Sequence, residues 1–452
     1  MPFAPVFLAT DLLLWLLVAV VIGYAWYCRR RPHLAAPWKR VLQSPAAVIT
    51  GVVLVCYALI GLADALHFRL KLSGGKAYSP EVLSVLDLAL AGLRERREKT
   101  YSAPLATRLY AKEQVELPDG KVAREFPRLR YGGAHLQDES AAGTDIAVQS
   151  AIGLGIAAVL SVPVFLGVRP LRRRWPDVPW GAAAATLAAV LLVAIPTALL
   201  ARGYHVLGTD KVGQDVLYQA LKSIRISLVI GTLTTLVLLP LGIALGVMAG
   251  YFRGWIDDAI QYLYTTLNSI PGVLLIAACV LMMQVFVDRH PEWFDTAAQR
   301  ADFRLLVLCG VLGLTSWTGL ARLLRGETLK LSQLEYIQAA HAFGVSDSRI
   351  LGRHILPNVA HILIITLVMD FSGLVLAEAV LSYVGVGVDP ATTSFGTMIN
   401  AARLEMGREP IVWWSLAAAF AFMFVLVLAA NLLADAVRDG FDPRVRVGTV
   451  PV

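Results

Sequence analysis

Nine stretches of this chain stay apolar over a length that crosses a lipid bilayer, and no other feature limits the fold as much. A membrane-spanning helix needs about 20 mostly apolar residues, at about 1.5 Å of rise each across about 30 Å of hydrocarbon. Such runs lie at residues 12–28, 46–66, 147–168, 180–201, 226–250, 259–287, 303–324, 359–384 and 411–434. Composition points the same way: 57% of the 452 residues are hydrophobic and 16% are charged, where soluble domains carry about a quarter. A large soluble core would interrupt its apolar runs more often. The expected fold is an all-α polytopic membrane protein. The first run begins at Asp11 with no basic residue ahead of it. A secretory signal has a positive region before its apolar stretch, so this run is expected to be a retained span. Cys28, Cys56, Cys279 and Cys309 fall in or at the edge of apolar runs. Their spacing matches no metal motif and implies no disulfide framework.

The net charge of +7 is read segment by segment, because Lys and Arg collect in cytoplasmic loops. Arg29, Arg30, Arg31, Lys39 and Arg40 follow the first run, and Arg169, Arg172, Arg173 and Arg174 follow the third. Arg253 follows the fifth, while Arg322, Arg325, Lys330, Arg349 and Arg353 follow the seventh. Arg438, Arg444 and Arg446 follow the ninth. Every odd-numbered run therefore ends on a cytoplasmic side, with the N-terminus expected outside and the C-terminus inside. Residues 67–145 then lie outside. Their many basic residues are nearly balanced by acidic ones, and loops beyond about 60 residues escape the charge rule. A small external α+β domain is expected there. Val82, Leu83, Leu86, Leu90 and Leu93 share one helical face between Pro80 and about Lys99. Asp119-Gly120, between two short runs in "VELPDGKVAREF", signals a hairpin.

A polar stretch, "EYIQAAHAFGVSDSRILGRHILPN" (335–358), lies between the seventh and eighth runs. It reads as two short helices joined at Gly344, with Ser346 capping the second. Three uses fit such a segment: a DNA-binding helix-turn-helix, a solvated connection, or a docking knob. A DNA reader needs a third supporting helix and a basic face. Here the flanks are membrane spans, and Glu335 and Asp347 offset the local positive charge. A knob needs small residues that let a partner approach, which Ala339 and Ala340 supply. It also needs a sharp turn, at Gly344, and a fixed start for the next span, at Pro357.

The same stretch resembles the cytoplasmic coupling motif of bacterial ABC-importer permeases. That motif has a Glu-Ala-Ala-type segment, here Glu335 with Ala339-Ala340, then a glycine, Gly344, then an ending like Ile-Leu-Pro, here closing at Pro357. Further segments resemble dipeptide, oligopeptide and nickel permeases of that family, in the same order. They are "HVLGTDKVGQDVLYQALKSIRISLVIG" (205–231), "GYFRGWIDDAI" (250–260), "SIPGVLL" (269–275), "LAEAVLSYVGVGVDPATTSFGTMINAAR" (376–403) and "NLLADAVRDGFDPR" (431–444). The likeness is to the C-type subunit of the permease pair. It implies a six-helix permease core, made by the second and the fifth to ninth runs, plus three added helices. The implied division is an extra helix and basic cytoplasmic loop at 1–37, then the first core helix at 38–66, opened by "WKRVLQSPAAVITGVVLV". An external inserted domain follows at 67–145, an added helical hairpin at 146–204, and the permease core at 205–452 with a coupling loop at 326–357. The resemblance also implies a bacterial inner membrane and a half-channel for peptides or peptide-like solutes, with nickel complexes as the alternative cargo. The partners it implies are a second homologous permease, two ABC ATPase subunits, a periplasmic or lipoprotein solute-binding protein, and membrane lipid, with no nucleic acid. Coupling is expected to involve Glu335, Ala339, Ala340, Gly344, Asp347, Arg353 and Pro357.

The chain has no Gly-x-x-x-x-Gly-Lys-Ser/Thr phosphate loop, and "SGGKAY" (73–78) has the wrong spacing. ATP and Mg are therefore expected on partner subunits, with no cofactor in this chain. Ser-His-Asp and His-Glu-x-x-His arrangements are absent too, so no catalytic or metal-binding residue is assigned and a transport subunit is expected rather than an enzyme. Asp370 and Glu378 lie in the eighth run, about two helical turns apart. A charge at bilayer depth costs roughly 3 kcal/mol on insertion scales and faces the bundle interior. Each acid either lines a translocation path or makes a polar contact between helices. Asp257/Asp258 and Asp435/Asp439 read as solvated turns. Two rival classes remain. A secondary transporter shows inverted repeats, and the second half does not repeat the first. A membrane sensor or scaffold would use 67–145 to bind a ligand, but leaves the core resemblances unaccounted for.

Overall fold

The structure is a computed structural model that describes residues 3–71, 78–116 and 122–441. Among these residues, nine helices are long and apolar enough to cross a membrane. In chain order the elements begin with β1 (Phe3–Val6), α1 (Ala9–Arg29), α2 (Pro32–Gln43) and α3 (Pro45–Asp64). The inserted segment follows with β2 (His67–Leu70), β3 (Leu83–Ser84), α4 (Val85–Ala89), α5 (Ala91–Glu95), β4 (Glu113–Glu116) and β5 (Val122–Glu125). Then come α6 (Ala142–Arg174), α7 (Trp180–Leu200), α8 (Val216–Phe252), α9 (Gly254–Ser269), α10 (Gly272–Arg289) and α11 (Ala297–Leu331). The chain closes with α12 (Glu335–Ala342), α13 (Asp347–Ile350), α14 (Leu356–Val384), α15 (Phe395–Glu405) and α16 (Trp414–Phe441). The expected mostly helical membrane architecture with a small α+β insertion is what this order describes.

The helices divide between two compact units. One takes β1, Leu42–Ser227 and Thr392–Ala429. Its three-stranded antiparallel sheet runs β1-β2-β3, with Phe3 opposite Leu70 and Phe68 opposite Leu83. A second antiparallel pair joins β4 and β5, with Glu113 opposite Glu125 and Glu116 opposite Val122. This is the expected hairpin, although its Asp119-Gly120 turn lies outside the described residues. The helix expected over 80–99 is instead the short strand β3 followed by two one-turn helices. Ser84 takes an N-cap role, its hydroxyl accepting from the Asp87 amide at 3.1 Å while Asp87 accepts from the Ser84 amide at 2.9 Å. The chain then leaves helical geometry at Leu90, φ −104° and ψ 20°. The predicted apolar face still turns inward, with Leu83, Leu86 and Leu93 buried.

In the same unit α6 and α7 form a tight helical hairpin. A Cβ on Gly153 would come within 2.6 Å of the Pro196 Cα, so only glycine permits this approach. Ala157, Ala184 and Ala188 are buried along the seam. Small residues give two membrane helices the close backbone packing that an apolar solvent cannot drive by itself.

The other unit takes Phe7–Val41, Leu228–Ala391 and the chain from Ala430 on. Its core gathers Leu238, Trp317, Leu320, Ala321, Leu324, Val359 and Leu374, from α8, α11 and α14. Helix α1 is fastened here. The buried Asp302 carboxylate of α11 accepts from the Thr10 amide at 3.2 Å and from the Thr10 hydroxyl. An acid at a helix N-terminus satisfies amides that have no partner in their own helix.

Two expectations need correction. The run 259–287 is not one helix but α9 and α10. Ile270 is extended, φ −92° and ψ 131°, as the residue before Pro271 prefers. The second short helix of 335–358 is not separate from the next span. It runs from α13 through a π-helical turn, Leu351–Ile355, directly into α14. Pro357 therefore sits in the first turn of an already running helix. A proline ring inside a helix clashes with the carbonyl four residues back, and a wide π turn just before it opens that region.

Candidate functional site

The polar segment between α11 and α14 is built on four isoleucine and valine side chains. Ile337 of α12, Ile350 of α13, Ile355 and Val247 of α8 are buried together, with Ala340 and Val345 packed against them. They fix α12 across the ends of α8 and α14. The turn after α12 is closed by Gly344, φ +74°, a region where L side chains are strained. The Gly344 amide donates to His341 O at 3.0 Å and the Val345 amide to Ala340 O at 3.1 Å. Ser346 makes no side-chain cap. Asp347 is held instead by the Tyr251 hydroxyl at 2.7 Å. Arg253 donates to Ser332 at 3.0 Å, and Asn358 to the Tyr336 hydroxyl at 3.2 Å.

Of the residues singled out in the sequence, Glu335, Ala339, Gly344, Asp347, Arg353 and Pro357 are exposed, while Ala340 is half-buried against the isoleucines. Sequence reasoning passed over Phe343. It is 87% exposed, directly beside Gly344. An exposed aromatic at a turn of small residues is an anchor shape for a pocket on another molecule. A DNA-reading helix has no place here, because α13 has only four residues before it merges into a membrane-length helix.

Asp257, expected in a solvated turn, is buried on α9 and paired with Arg325 of α11 through two contacts of 2.6 Å. The Arg325 guanidinium holds the Asp257 carboxyl below the usual carboxylate range. Asp258, Asp435 and Asp439 are exposed, as expected. Asp370 and Glu378 differ. Glu378 is fully buried and accepts from the Ser382 hydroxyl at 2.7 Å. Asp370 is half-buried, and among the described residues no hydrogen bond reaches its carboxylate.

A second polar centre was not read from the sequence at all. His205, 2% exposed, lies between Asp215, 2.8 Å from Nδ1, and Glu98, 3.4 Å from Nε2. Glu98 also accepts from the amides of Arg130, Tyr131 and Gly132 at 2.9, 2.7 and 3.2 Å. Burial disfavours the imidazolium, but hydrogen bonds and charge from the two carboxylates outweigh it and raise the His205 pKa to about 9. Burial would likewise raise Glu98, yet His205 and the three amides hold it low. Thr209 ties the same loop to the insertion, accepting from the Ser102 amide at 2.7 Å. Lys222 reaches Asp87 at 2.6 Å and Asp64 at 3.1 Å. The inserted segment is thus bonded into residues 205–222 through groups far apart in sequence.

Comparison with known proteins agrees with the resemblance seen in these segments. The family described as binding-protein-dependent transport system inner membrane component matches residues 242–447. A glutathione transport system permease protein of Pectobacterium atrosepticum is 35% identical over 244 residues, 54% of this chain and 73% of that protein. An oligopeptide transport system permease protein of Mycobacterium tuberculosis is 32% identical over 242 residues, 54% of this chain and 77% of that protein. A dipeptide transport system permease protein of Lactococcus lactis is 28% identical over 240 residues, 53% of this chain and 64% of that protein. A methionine ABC transporter solved in inward-facing conformations shares 16% identity at a TM-score of 0.39, over 50% of this chain and 98% of that one. That likeness is too weak to carry an argument. The chain belongs to the family of binding-protein-dependent transport system inner membrane components, as a multi-pass permease in the peptide branch of the ABC importers.

Proposed function

We propose that this permease moves peptides or peptide-like solutes inward across a bacterial inner membrane, driven by two ATPase subunits on separate chains that press on residues 326–357. A second homologous permease completes the pathway, and an external solute-binding protein delivers the cargo. The observation that carries this reading is the exposed knob at α12, Phe343 and Gly344, seated on its isoleucine core and continuous through α13 with the 38-residue helix Asp347–Val384. A push on the knob has a rigid element to travel along. The cargo class rests on the relatives, which are named for glutathione, oligopeptides and dipeptides.

The experiment is Gly344→Glu. A Cβ at this site meets nothing within 4 Å in the chain itself, so the added bulk faces the partner. A left-handed conformation costs a non-glycine residue about 1–2 kcal/mol, which leaves the spans intact. A carboxylate buried without a partner at a docking face costs several kcal/mol, roughly a hundredfold or more in affinity. The variant is expected in the membrane at normal amounts, without its ATPase subunits in a pull-down and without uptake. Normal recovery of those subunits together with normal uptake would remove the coupling role.

A further inference from the structure

The α6–α7 hairpin has a groove on an exposed side of its two membrane-length helices. Its volume is about 640 Å³, and it is lined by Ala158, Val162, Phe165, Ala188 and Leu192, with Arg169 at one end. The only hydroxyl inside it, on Ser161, donates to its own helix at Ala157 O, 2.7 Å away. Nothing polar is presented to an occupant until Arg169. From Ala158 to Arg169 the groove follows eleven residues of α6, about 17 Å of helix. One leaflet of a bilayer has about 15 Å of hydrocarbon. The groove is therefore one leaflet deep. It is too short for a second membrane-spanning helix and the right length for an acyl chain. At its open end Arg169 is followed by Arg172, Arg173 and Arg174, all exposed, and among the described residues none of the four forms an ion pair.

We propose that this groove holds an anionic phospholipid, with one acyl chain between α6 and α7 and its phosphate on Arg169 and the following arginines. Clustered arginines at the end of a membrane helix attract anionic headgroups, and the groove adds a fixed seat for the chain below them. The added hairpin would then be a lipid-anchored part of the molecule rather than an inert appendage.

The test is native mass spectrometry of the purified full chain in detergent, with equal amounts of dioleoylphosphatidylglycerol and dioleoylphosphatidylethanolamine. The anionic lipid is expected to be retained preferentially. Arg169→Ala should cut its retention about fivefold, the worth of one basic residue near a headgroup. Ala189→Phe, from an exposed position that also lines the groove, should cut it at least as much without disturbing the buried seam. Equal retention of both lipids overturns the proposal, as does unchanged retention in both variants. A photo-crosslinking residue at Val162 gives a second reading in membranes. A lipid adduct supports the seat, and an adduct to a protein subunit assigns the groove to that subunit and overturns it.

Discussion

His205 is the residue whose chemistry reaches furthest beyond its own neighbours. As an imidazolium it donates to Asp215 and Glu98, and both carboxylates lose their counter-charge if it is neutralised. Its pKa of about 9 in the folded chain stands above an ordinary value of about 6.5. A raised folded value makes protonation stabilising, here by about 3 kcal/mol. That contribution is fully present below about pH 6.5 and fades as the pH rises through about 9. His205→Gln should thus lower the thermal midpoint clearly at pH 7, with the gap to the parent chain closing by pH 10. The unfolding midpoint of the two proteins across that range checks this. A gap that stays constant with pH would mean that His205 acts by shape alone.

At the scale of elements, α9 is held to α11 by Asp257 and Arg325. It follows directly on the end of α8, where Tyr251 and Arg253 grip the polar segment between α11 and α14 through Asp347 and Ser332. The pair is partly exposed, so its worth is that of charged hydrogen bonds, about 1.5–3 kcal/mol. A double-mutant cycle with Asp257→Asn and Arg325→Gln, read by thermal unfolding, should return a coupling energy of about that size. A value near zero would make α9 independent of α11. The long helices were legible in the sequence because hydropathy is a local property, and each run fell within or close to a long helix, although helices such as α8 and α11 extend several residues beyond their runs. The break at Ile270 was marked only by Pro271 inside an apolar run, and a single proline does not say whether a helix kinks or ends. Pairs such as Asp257–Arg325 and Glu98–His205 were not legible, because their partners lie 68 and 107 residues apart. Gly344 was legible as a turn residue, while Ala340, read as a surface for a partner, packs instead on the isoleucine core. Phe343 was not legible, since nothing local tells an exposed aromatic from a buried one.

At the scale of the whole molecule, the question is which side of the membrane each loop occupies. The arginine pattern argues for an external N-terminus and a cytoplasmic C-terminus, and two contacts test the number of spans between loops, though not which side is which. β1, near the N-terminus, pairs antiparallel with β2 of the inserted segment, so both belong on one side. In the other unit, Trp38 in the basic stretch of α2 packs edge-on against Phe441 at the end of α16, with ring centroids 5.1 Å apart. The first basic loop and the C-terminal end of α16 therefore also share a side. Two spans separate β1 from β2 and eight separate Trp38 from Phe441, and an even number of spans brings ends to one side where an odd number would separate them. A miscounted helix would have set one of them across the bilayer. With nine spans, a reporter fused after Val452 should behave as cytoplasmic, and one inserted near Gly120 as external. Alkaline phosphatase and green fluorescent protein, which work on opposite sides of the membrane, give opposite readings at each site and so guard against a silent fusion. A cytoplasmic reading near Gly120 would put residues 67–145 on the same side as the proposed coupling segment. It would also bar the insertion from any role in receiving cargo from an external binding protein.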